Sequence, residues 1–358
     1  MRVLFKTSYD HDIDHLVDPG ERIRVALVIA VALAAPLFVS SYFLSELSIF
    51  ICYALAGIGL MVLLGFTGQV SFGHAAFLGI GAYAEAALMT RGVPFLIALP
   101  LAGIVSGAVG AVLGRAVSKM HGFYLAVATL AFAIVTESVI GAAEPITGGH
   151  MGLQVPPIAL FGFELSENWQ VYYLYLAVLL FIIWGTANLM RAPAGRSMIA
   201  VRDSETSARS LGIDVARVKV RAFFVSAAIT GVAGGLMAHL LFYLSPETFN
   251  LLESLRLMLM VVVGGLGTIS GAIFGAVFIS FLPNLIDLLR AVLPAAIADQ
   301  AGLEYLLFGA VIALFIMFEP LGIYGRWRKL RLFIETYPYY RRATFVRQKR
   351  YLKSERFR

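Results

Sequence analysis

The feature that most constrains the fold is a compact charged segment, residues 191–221, which lies between two long runs without a charged residue. The flanking runs, Asn168 to Met190 and Ala222 to Pro246, contain no Lys, Arg, Asp or Glu. Each is long enough to cross a bilayer as an α-helix, which needs about 20 residues. The segment 191–221, hereafter the charged loop, must therefore lie outside the lipid, and the chain is predicted to cross the membrane repeatedly.

Composition supports the same class, because 59% of the residues are hydrophobic and only 14% are charged, far from the balance of a soluble domain. The apolar runs are continuous rather than alternating, which favours helices over a barrel. We predict an all-α fold with two glycine-rich broken segments. About ten transmembrane helices are expected, near residues 25–45, 47–65, 71–90, 94–114, 121–142, 169–190, 222–244, 254–265, 270–290 and 303–323.

Basic residues predict the orientation of these helices. Of the 28 Lys and Arg, 25 fall in four groups: before Val25, at Arg115 and Lys119, in the charged loop, and after Gly325. With ten crossings all four groups lie on one side, which the positive-inside rule makes cytoplasmic. The exceptions are Arg91, Arg256 and Arg290. The predicted organisation is a cytoplasmic extension over residues 1–24, a transmembrane domain over 25–324 and a cytoplasmic tail over 325–358, with both termini inside.

Two charge-free stretches are too long to be single helices. Leu47 to Ala84 has 38 residues, about 57 Å as a helix against roughly 30 Å of hydrocarbon, and Leu257 to Ile286 has 30. We expect breaks near Thr67 to Gly73 and within Gly264 to Ala276. Irregular backbone at membrane depth needs protein or a water-lined cavity around it, and often borders a translocation path. The candidate path residues are Gly68, Gln69, Ser71, Gly73, His74, Gly264, Gly265, Gly267 and Thr268.

Alternative interpretations accompany these residues. Small residues such as Gly59, Gly81 and Gly271 also let helices approach closely, and we assign most of those glycines to packing. The ionisable groups Glu85, Glu137 and His239 could form a proton relay, or could simply lie near an interface or pair with a neighbouring helix. The single cysteine, Cys52, excludes an internal disulfide and argues against a thiolate metal cluster. His74 has no ligand-like partner at helical spacing, so no metal or other cofactor is predicted.

The charged loop itself has the pattern of two short helices. Asp203 or Ser204 can cap a turn whose Ala208 and Leu211 are expected to point the same way, and Gly212 is placed to end it in a left-handed conformation. Such a polar, rigid unit is suited to insertion into a cleft of a soluble partner. The alternative is a solvated loop held by its own salt bridges.

The last 33 residues, RWRKLRLFIETYPYYRRATFVRQKRYLKSERFR after Gly325, mix basic and aromatic side chains. This composition is superficially typical of a nucleic-acid surface. Its position just inside a final helix instead favours contact with anionic membrane lipid or a partner subunit. We predict no nucleic-acid partner.

Three segments together carry a family resemblance: GFTGQVSFGHAAFLGIGAY, then GRSMIAVRDSETSARSLGIDV with KVRAFFVSAAITGVAGGL after it, and VVVGGLGTISGAIFGA. They resemble the branched-chain amino acid type permeases of ATP-binding cassette importers, specifically the LivM-like subunit, over most of the chain from about Ile49 to Tyr324. The resemblance implies a bacterial inner-membrane protein with a LivH-like permease subunit, two cytoplasmic ATPase subunits and a periplasmic solute-binding protein as partners.

On that resemblance the positions that contact the ATPase are Arg202, Asp203, Glu205, Ser207, Ala208 and Gly212. Where the family pattern reads Glu, Ala, Ala, three residues, then Gly, this chain has Thr206, Ser207 and Ala208 before Gly212. The chain has no GxxxxGK[ST] phosphate loop, so any ATP would be bound by another polypeptide. The expected function is half of an import path for branched-chain amino acids or related small polar solutes, without enzymatic chemistry. The alternative is a stand-alone secondary transporter or channel.

Overall fold

The structure, a computed structural model, describes residues 19–160, 162–292 and 322–336, with a few single positions between residues 306 and 318. The described residues are mostly helical, which confirms the all-α class. The helices are α1 (Pro19–Phe38), α2 (Ser41–Leu60, extended by a π-turn at Met61–Gly65), α3 (His74–Thr90), α4 (Phe95–Val117), α5 (Phe123–Ala142), α6 (Glu144–Thr147), α7 (Asn168–Arg191), α8 (Pro193–Asp203), α9 (Glu205–Ser210), α10 (Val215–Leu241), α11 (Leu251–Gly264), α12 (Ile269–Val292) and α13 (Gly322–Thr336).

Four two-residue strands lie in the connections between helices. They are β1 (Leu153–Gln154), β2 (Ala159–Leu160), β3 (Phe163–Glu164) and β4 (Tyr243–Leu244). Strand β1 pairs antiparallel with β4, and β2 with β3. The β1–β4 pair ties the α6–α7 connection to the end of α10, so two connections on the same face of the bundle are joined.

Five described helices are long and apolar enough to cross a membrane: α2 with its π-turn, α4, α5, α7 and α10. A sixth candidate is a bent pair, Pro246–Gly264 and Ile269–Asn284, whose parts meet at 120°. The predicted count of about ten crossings is therefore not confirmed. Helix α3 has only 17 residues, α1 carries Glu21, Arg22 and Arg24 near its start, and the predicted helix at 303–323 lies mostly outside the described residues.

Helix α10 forms the centre of the bundle and packs against α2, α3 and α4. Four glycines of α4 lie at helical spacing and face α10: Gly103, Gly107, Gly110 and Gly114. Side chains added at these positions would meet residues of α10, namely Phe223, Phe224, Ala227, Ala228 and Val232. In lipid, where there is little hydrophobic drive between helices, close approach of small residues supplies the packing energy.

The same principle explains the α3–α10 contact. A side chain on Gly81 would overlap the backbone of Gly231, and one on Gly59 of α2 would overlap Thr230. The packing role assigned to these glycines is confirmed. Cys52 of α2 is also enclosed in this core, with 1% of its surface exposed.

Helical geometry is interrupted twice between core helices. Between α2 and α3 the chain is non-helical from Gly68 to Gly73, and between α11 and α12 it is non-helical from Gly265 to Thr268. Gly68 at φ +73° and Gly267 at φ +82° adopt left-handed backbone conformations, which glycine reaches without a steric penalty.

Helix α13 starts beside the second interruption. A side chain on Gly322 would contact Gly265 and the Val263 carbonyl at 2.7 Å, so α13 begins against the turn between α11 and α12. Its basic residues belong to the predicted tail at 325–358. Residues 337–358 of that tail, and residues 1–18 of the predicted N-terminal extension, lie outside the described part of the chain.

Candidate functional site

Two short helices begin beside each other inside the bundle. Helices α3 and α11 have 17 and 14 residues, fewer than the roughly 20 that cross a bilayer. The Ser254 hydroxyl accepts a hydrogen bond from the Ala75 backbone N–H at 3.0 Å, which joins the first turns of the two helices. Just before α3, the Phe72 N–H donates to the Thr129 hydroxyl at 3.0 Å. The meeting point brings together the positive ends of two helix dipoles.

His74, the first residue of α3, is completely buried and links three helices. Its Nε2 lies 2.9 Å from the Ser226 hydroxyl, which itself donates to the Gly59 carbonyl at 2.6 Å. Since that serine proton is used, Nε2 must carry the proton and donate to Ser226. The Nδ1 atom, 3.3 Å from the Ser71 hydroxyl, is then the acceptor. His74 and Ser71 are thus brought together, in a neutral network that joins α2, α3 and α10.

Gln69 is the polar side chain of the first break that this network does not use. It is 3% exposed, and neither atom of its side-chain amide has a hydrogen-bond partner among the described residues. An unpaired buried polar group costs about 1–3 kcal/mol. Of the predicted path residues, Gln69 is therefore the one whose hydrogen-bonding groups are available to a solute or water molecule.

The second break is built for a tight turn. Gly265 and Gly267 have φ of +116° and +82°, and a side chain on Gly264 would overlap the backbone of Gly271. The Thr268 hydroxyl accepts from the Gly271 N–H at 3.0 Å, so Thr268 caps the start of α12. The geometry explains these four predicted residues by backbone conformation and capping, and a role for them in the path stays a prediction.

Arg202 of the charged loop contacts both breaks. Its Nη1 donates to the Gly65 carbonyl at the end of the π-turn at 3.1 Å. A side chain on Gly68 would meet Arg202 Cγ at 3.0 Å, and one on Gly267 would meet Nη1 at 3.3 Å. The Gly267 N–H also lies 3.2 Å from Met61 Sδ. A single loop side chain therefore rests where the two interrupted segments converge.

The loop forms the two predicted short helices, α8 and α9. The Ser204 hydroxyl accepts from the Ser207 N–H at 3.2 Å, which confirms Ser204 as the cap, and Gly212 has φ +80° as predicted. Ala208 is 1% exposed, whereas Leu211 is 79% exposed, so the expectation that they point the same way is wrong. The reason is that α9 ends at Ser210, and Leu211 lies in the following turn.

Glu205 connects this loop to two other elements. Its carboxylate lies 2.7 Å from Lys219 Nζ of α10 and 2.7 Å from His121 Nε2 in the α4–α5 connection. Lys219 is 1% exposed and also donates to the Met120 carbonyl at 3.3 Å. Partial burial acts to raise the pKa of Glu205, but hydrogen bonds from Lys219 and His121 outweigh it and the pKa is lowered.

The predicted ATPase-contacting residues differ in their surroundings. Glu205 and Ala208 make contacts within the chain, whereas Ser207 and Gly212 are exposed. Arg202 and Asp203 are exposed and also pair with each other at 2.9 Å, and Arg202 bonds to Gly65 as well. The most exposed apolar side chain of the loop among the described residues is Leu211, which was expected on the same side as Ala208.

Two of the ionisable groups noted in the sequence, Glu85 and His239, form a buried pair between α3 and α10. His239 Nε2 lies 2.8 Å from Glu85 Oε1, and His239 Nδ1 lies 3.1 Å from the Pro156 carbonyl. Glu85 is completely buried, and a side chain on Gly235, one turn before His239, would meet it at 3.3 Å. Of the alternatives left open for these two residues, pairing with a neighbouring helix is the one that the structure shows.

Comparison with known proteins identifies the family of this chain. A family profile described as the branched-chain amino acid transport system permease component matches residues 42–316. The chain is 32% identical to the high-affinity branched-chain amino acid transport system permease protein LivM of Salmonella typhimurium over 328 residues, 85% of this chain and 75% of the relative. It is 24% identical to LivH of Escherichia coli over 297 residues, 76% of this chain and 91% of the relative.

A probable LivM of Methanocaldococcus jannaschii is 24% identical over 232 residues, covering 64% of this chain and 67% of the relative. No solved structure matches. The family match covers most of the chain, including both interruptions and the charged loop between them. This protein therefore belongs to the permease-component family of branched-chain amino acid transport systems.

Proposed function

We propose that this chain is the LivM-type permease subunit of an ATP-driven importer in the bacterial cytoplasmic membrane. It forms half of the path for branched-chain amino acids or related small polar solutes, beside a LivH-like subunit. Two ATPase subunits would bind on the cytoplasmic side and a solute-binding protein on the other. The relatives that carry the LivM and LivH names support the pairing, and the lack of a phosphate-loop sequence in this chain agrees with a separate ATPase.

The contact of Arg202 with both interruptions carries this proposal. A loop that binds a motor protein can transmit movement only if it is in contact with the parts that move. Arg202 lies five residues before the exposed Ser207 and nine before Leu211, yet bonds to Gly65 and packs against Gly68 and Gly267. A shift of the loop would therefore act directly on both interrupted segments.

The contacts also support the orientation proposed from charge. The Asn168 side chain at the start of α7 bonds to the Ser41 carbonyl at the start of α2, so these helix ends lie on one face. The opposite face holds Gly65, the charged loop and the α4–α5 connection. Counting α3 and α11 as one crossing each, with the short segments before them, gives nine crossings over the described residues 19–160 and 162–292. The tenth predicted crossing, at 303–323, lies mostly outside the described residues; a total of ten would leave both termini on the cytoplasmic face.

Alternating access then follows from rearrangement at the meeting point of α3 and α11. The Ala75–Ser254 hydrogen bond joins the two short helices at this point. Each helix borders an irregular segment, residues 68–73 before α3 and residues 265–268 after α11. Rocking of one interrupted segment against the other would open the path first to one face and then to the other. The buried, unpaired amide of Gln69 is the group placed to meet a polar solute during this movement.

A second candidate, an ion-driven secondary transporter, is favoured by one observation. Glu85 and His239 form a buried carboxylate–imidazole pair, and such pairs occur in proton-coupled transport. The pair lies on the far side of the bundle from the charged loop, close to the Pro156 carbonyl. We propose that the pair fastens the α6–α7 connection, which contains Pro156, to α10.

Reconstitution into proteoliposomes distinguishes an ATP-driven importer from an ion-driven secondary transporter. The chain is purified with an affinity tag from its native membrane, together with any chains that remain bound, and inserted into proteoliposomes. The importer proposal predicts uptake of radiolabelled leucine, isoleucine or valine only with ATP and the ATPase subunits present. A matched sample whose ATPase subunits carry an inactivating substitution should show none. Uptake by this polypeptide alone, driven by a proton gradient, would overturn the proposal.

A further inference from the structure

Arg256 is a charged residue near the middle of the bundle, outside the four groups of basic residues that lie on the predicted cytoplasmic side. It lies on α11 and donates from Nη1 to the Tyr53 hydroxyl at 3.2 Å. Tyr53 is the thirteenth residue of the 25-residue segment Ser41–Gly65. Further along, a side chain on Gly57 would meet Met260, so α2 and α11 run side by side in the same direction. Arg256 therefore lies about halfway through the proposed membrane.

Its neighbour Glu253, one turn earlier on α11, carries the opposite charge. The closest approach of the two is 3.8 Å, between Arg256 Nη1 and Glu253 Oε2, in contrast to 2.7 Å for Lys219 and Glu205. The Arg256 guanidinium also lies over the Tyr53 ring, 5.1 Å from its centroid, a cation–π contact that holds it in place. The two charges are thus positioned near each other but only loosely joined.

Each member of the pair retains an unused polar atom. Glu253 Oε1 and Arg256 Nε are buried, and neither has a hydrogen-bond partner among the described residues. The side chains as a whole are 13% and 29% exposed, so the pair is not sealed off from its surroundings. Both atoms are therefore able to bind a polar solute, because a buried polar group gains free energy from a hydrogen-bond partner.

We propose that Glu253 and Arg256 form a recognition pair for a zwitterionic amino acid in the path. The carboxylate of Glu253 would bind the solute's α-ammonium group, and the guanidinium of Arg256 would bind its α-carboxylate through its fork of N–H donors. The start of α11 adds the positive end of a helix dipole beside the carboxylate. This inference rests on the proposed import function, and it names zwitterionic amino acids, rather than amides or urea, as the solute class.

The test uses the purified importer complex in detergent, without the solute-binding protein, and three probes at millimolar concentration. L-Leucine carries both charges, leucinamide lacks the carboxylate, and 4-methylpentanoate lacks the ammonium group. Binding is followed by saturation-transfer NMR. Wild-type complex should bind leucine most tightly. Arg256→Gln should weaken leucine and 4-methylpentanoate by about tenfold or more and leave leucinamide unchanged, since a hydrogen bond to a charged group is lost. Glu253→Gln should do the reverse.

Glu46→Gln, a carboxylate substitution near the start of α2, is the matched control and should change none of the three affinities. Equal weakening of all probes by both variants would assign the pair to structure and overturn the inference, as would a wild type that shows no saturable leucine binding. ATP-driven uptake is measured in parallel with the same wild-type complex reconstituted into proteoliposomes together with its solute-binding protein. If uptake occurs while the pair proves irrelevant, the inference alone fails. If the complex takes up no amino acid, the import function fails.

Discussion

Replacing Glu205 with Ala should strongly destabilise the chain because it leaves Lys219 buried without its anion. The Lys219 side chain is 1% exposed and would keep only the Met120 carbonyl as a partner. Removing one member of a buried pair costs about 3–5 kcal/mol. Glu205 is itself 25% exposed, so we expect the lower end, about 3 kcal/mol. The half-exposed His121 contact adds at most about 1 kcal/mol.

A double-mutant cycle measures the pair directly. Lys219→Met removes the buried charge and keeps an apolar stem of similar length, so adding it to Glu205→Ala should restore about 2 kcal/mol of the loss. The assay is equilibrium unfolding in mixed detergent micelles, followed by tryptophan fluorescence. If the two substitutions are simply additive, Lys219 does not depend on Glu205 and the reasoning is refuted.

The same pair predicts a pH dependence. Because the pKa of Glu205 is lowered in the folded protein, its contribution to stability is present at pH values above the unfolded pKa. It is lost as the pH falls through the lowered folded pKa. Glu205→Gln should remove this acid-dependent part of the unfolding free energy. An unchanged pH profile in that variant would show that the carboxylate is not stabilised by its neighbours.

Three further substitutions test the packing and the loop surface. Gly81→Leu should prevent stable folding because the side chain would overlap the Gly231 backbone, whereas Gly185→Leu, with open space around it, should fold and elute as wild type in size-exclusion chromatography. Leu211→Asp, at a 79% exposed position, should leave the unfolding free energy within about 0.5 kcal/mol and reduce co-purification with the ATPase subunits; retention of full binding would remove Leu211 from the contact surface. Gly212→Val should strain the left-handed turn, so that ATP hydrolysis continues while uptake falls, whereas Gly212→Asn, which tolerates positive φ, should keep uptake; wild-type uptake by the Val variant would contradict this.

Local features were predictable from sequence because nearby residues determine them. The helical class follows from continuous apolar runs, and the two short helices of the loop follow from their capping and turn residues. Ser204 was one of two residues proposed as the cap and Gly212 was expected at positive φ, and both adopt those roles. The direction of Leu211 was missed because it depends on where a six-residue helix ends, a boundary that pattern alone does not fix.

Long-range pairs were not predictable. His239 and Glu85 are 154 residues apart, and His121 meets Glu205, 84 residues away, only because the α4–α5 connection packs beside the loop. Their positions depend on which helix faces which, and the strongest determinant of that packing is the set of glycines that permits close approach. The sequence shows those glycines but not their partners. Arg256 was visible as an exception to the charge pattern, and only its contact with Tyr53 shows where it lies.

The enclosure of Cys52 has a practical consequence for spectroscopy. It is the chain's one cysteine and lies in the interior of α2 with 1% of its surface exposed, where a bulky maleimide reagent has no access. A cysteine introduced at an exposed position can therefore carry a spin label or fluorophore without first replacing the natural thiol. Pairs of such labels on the loop and on the opposite face would report distances through a transport cycle in an otherwise unaltered protein.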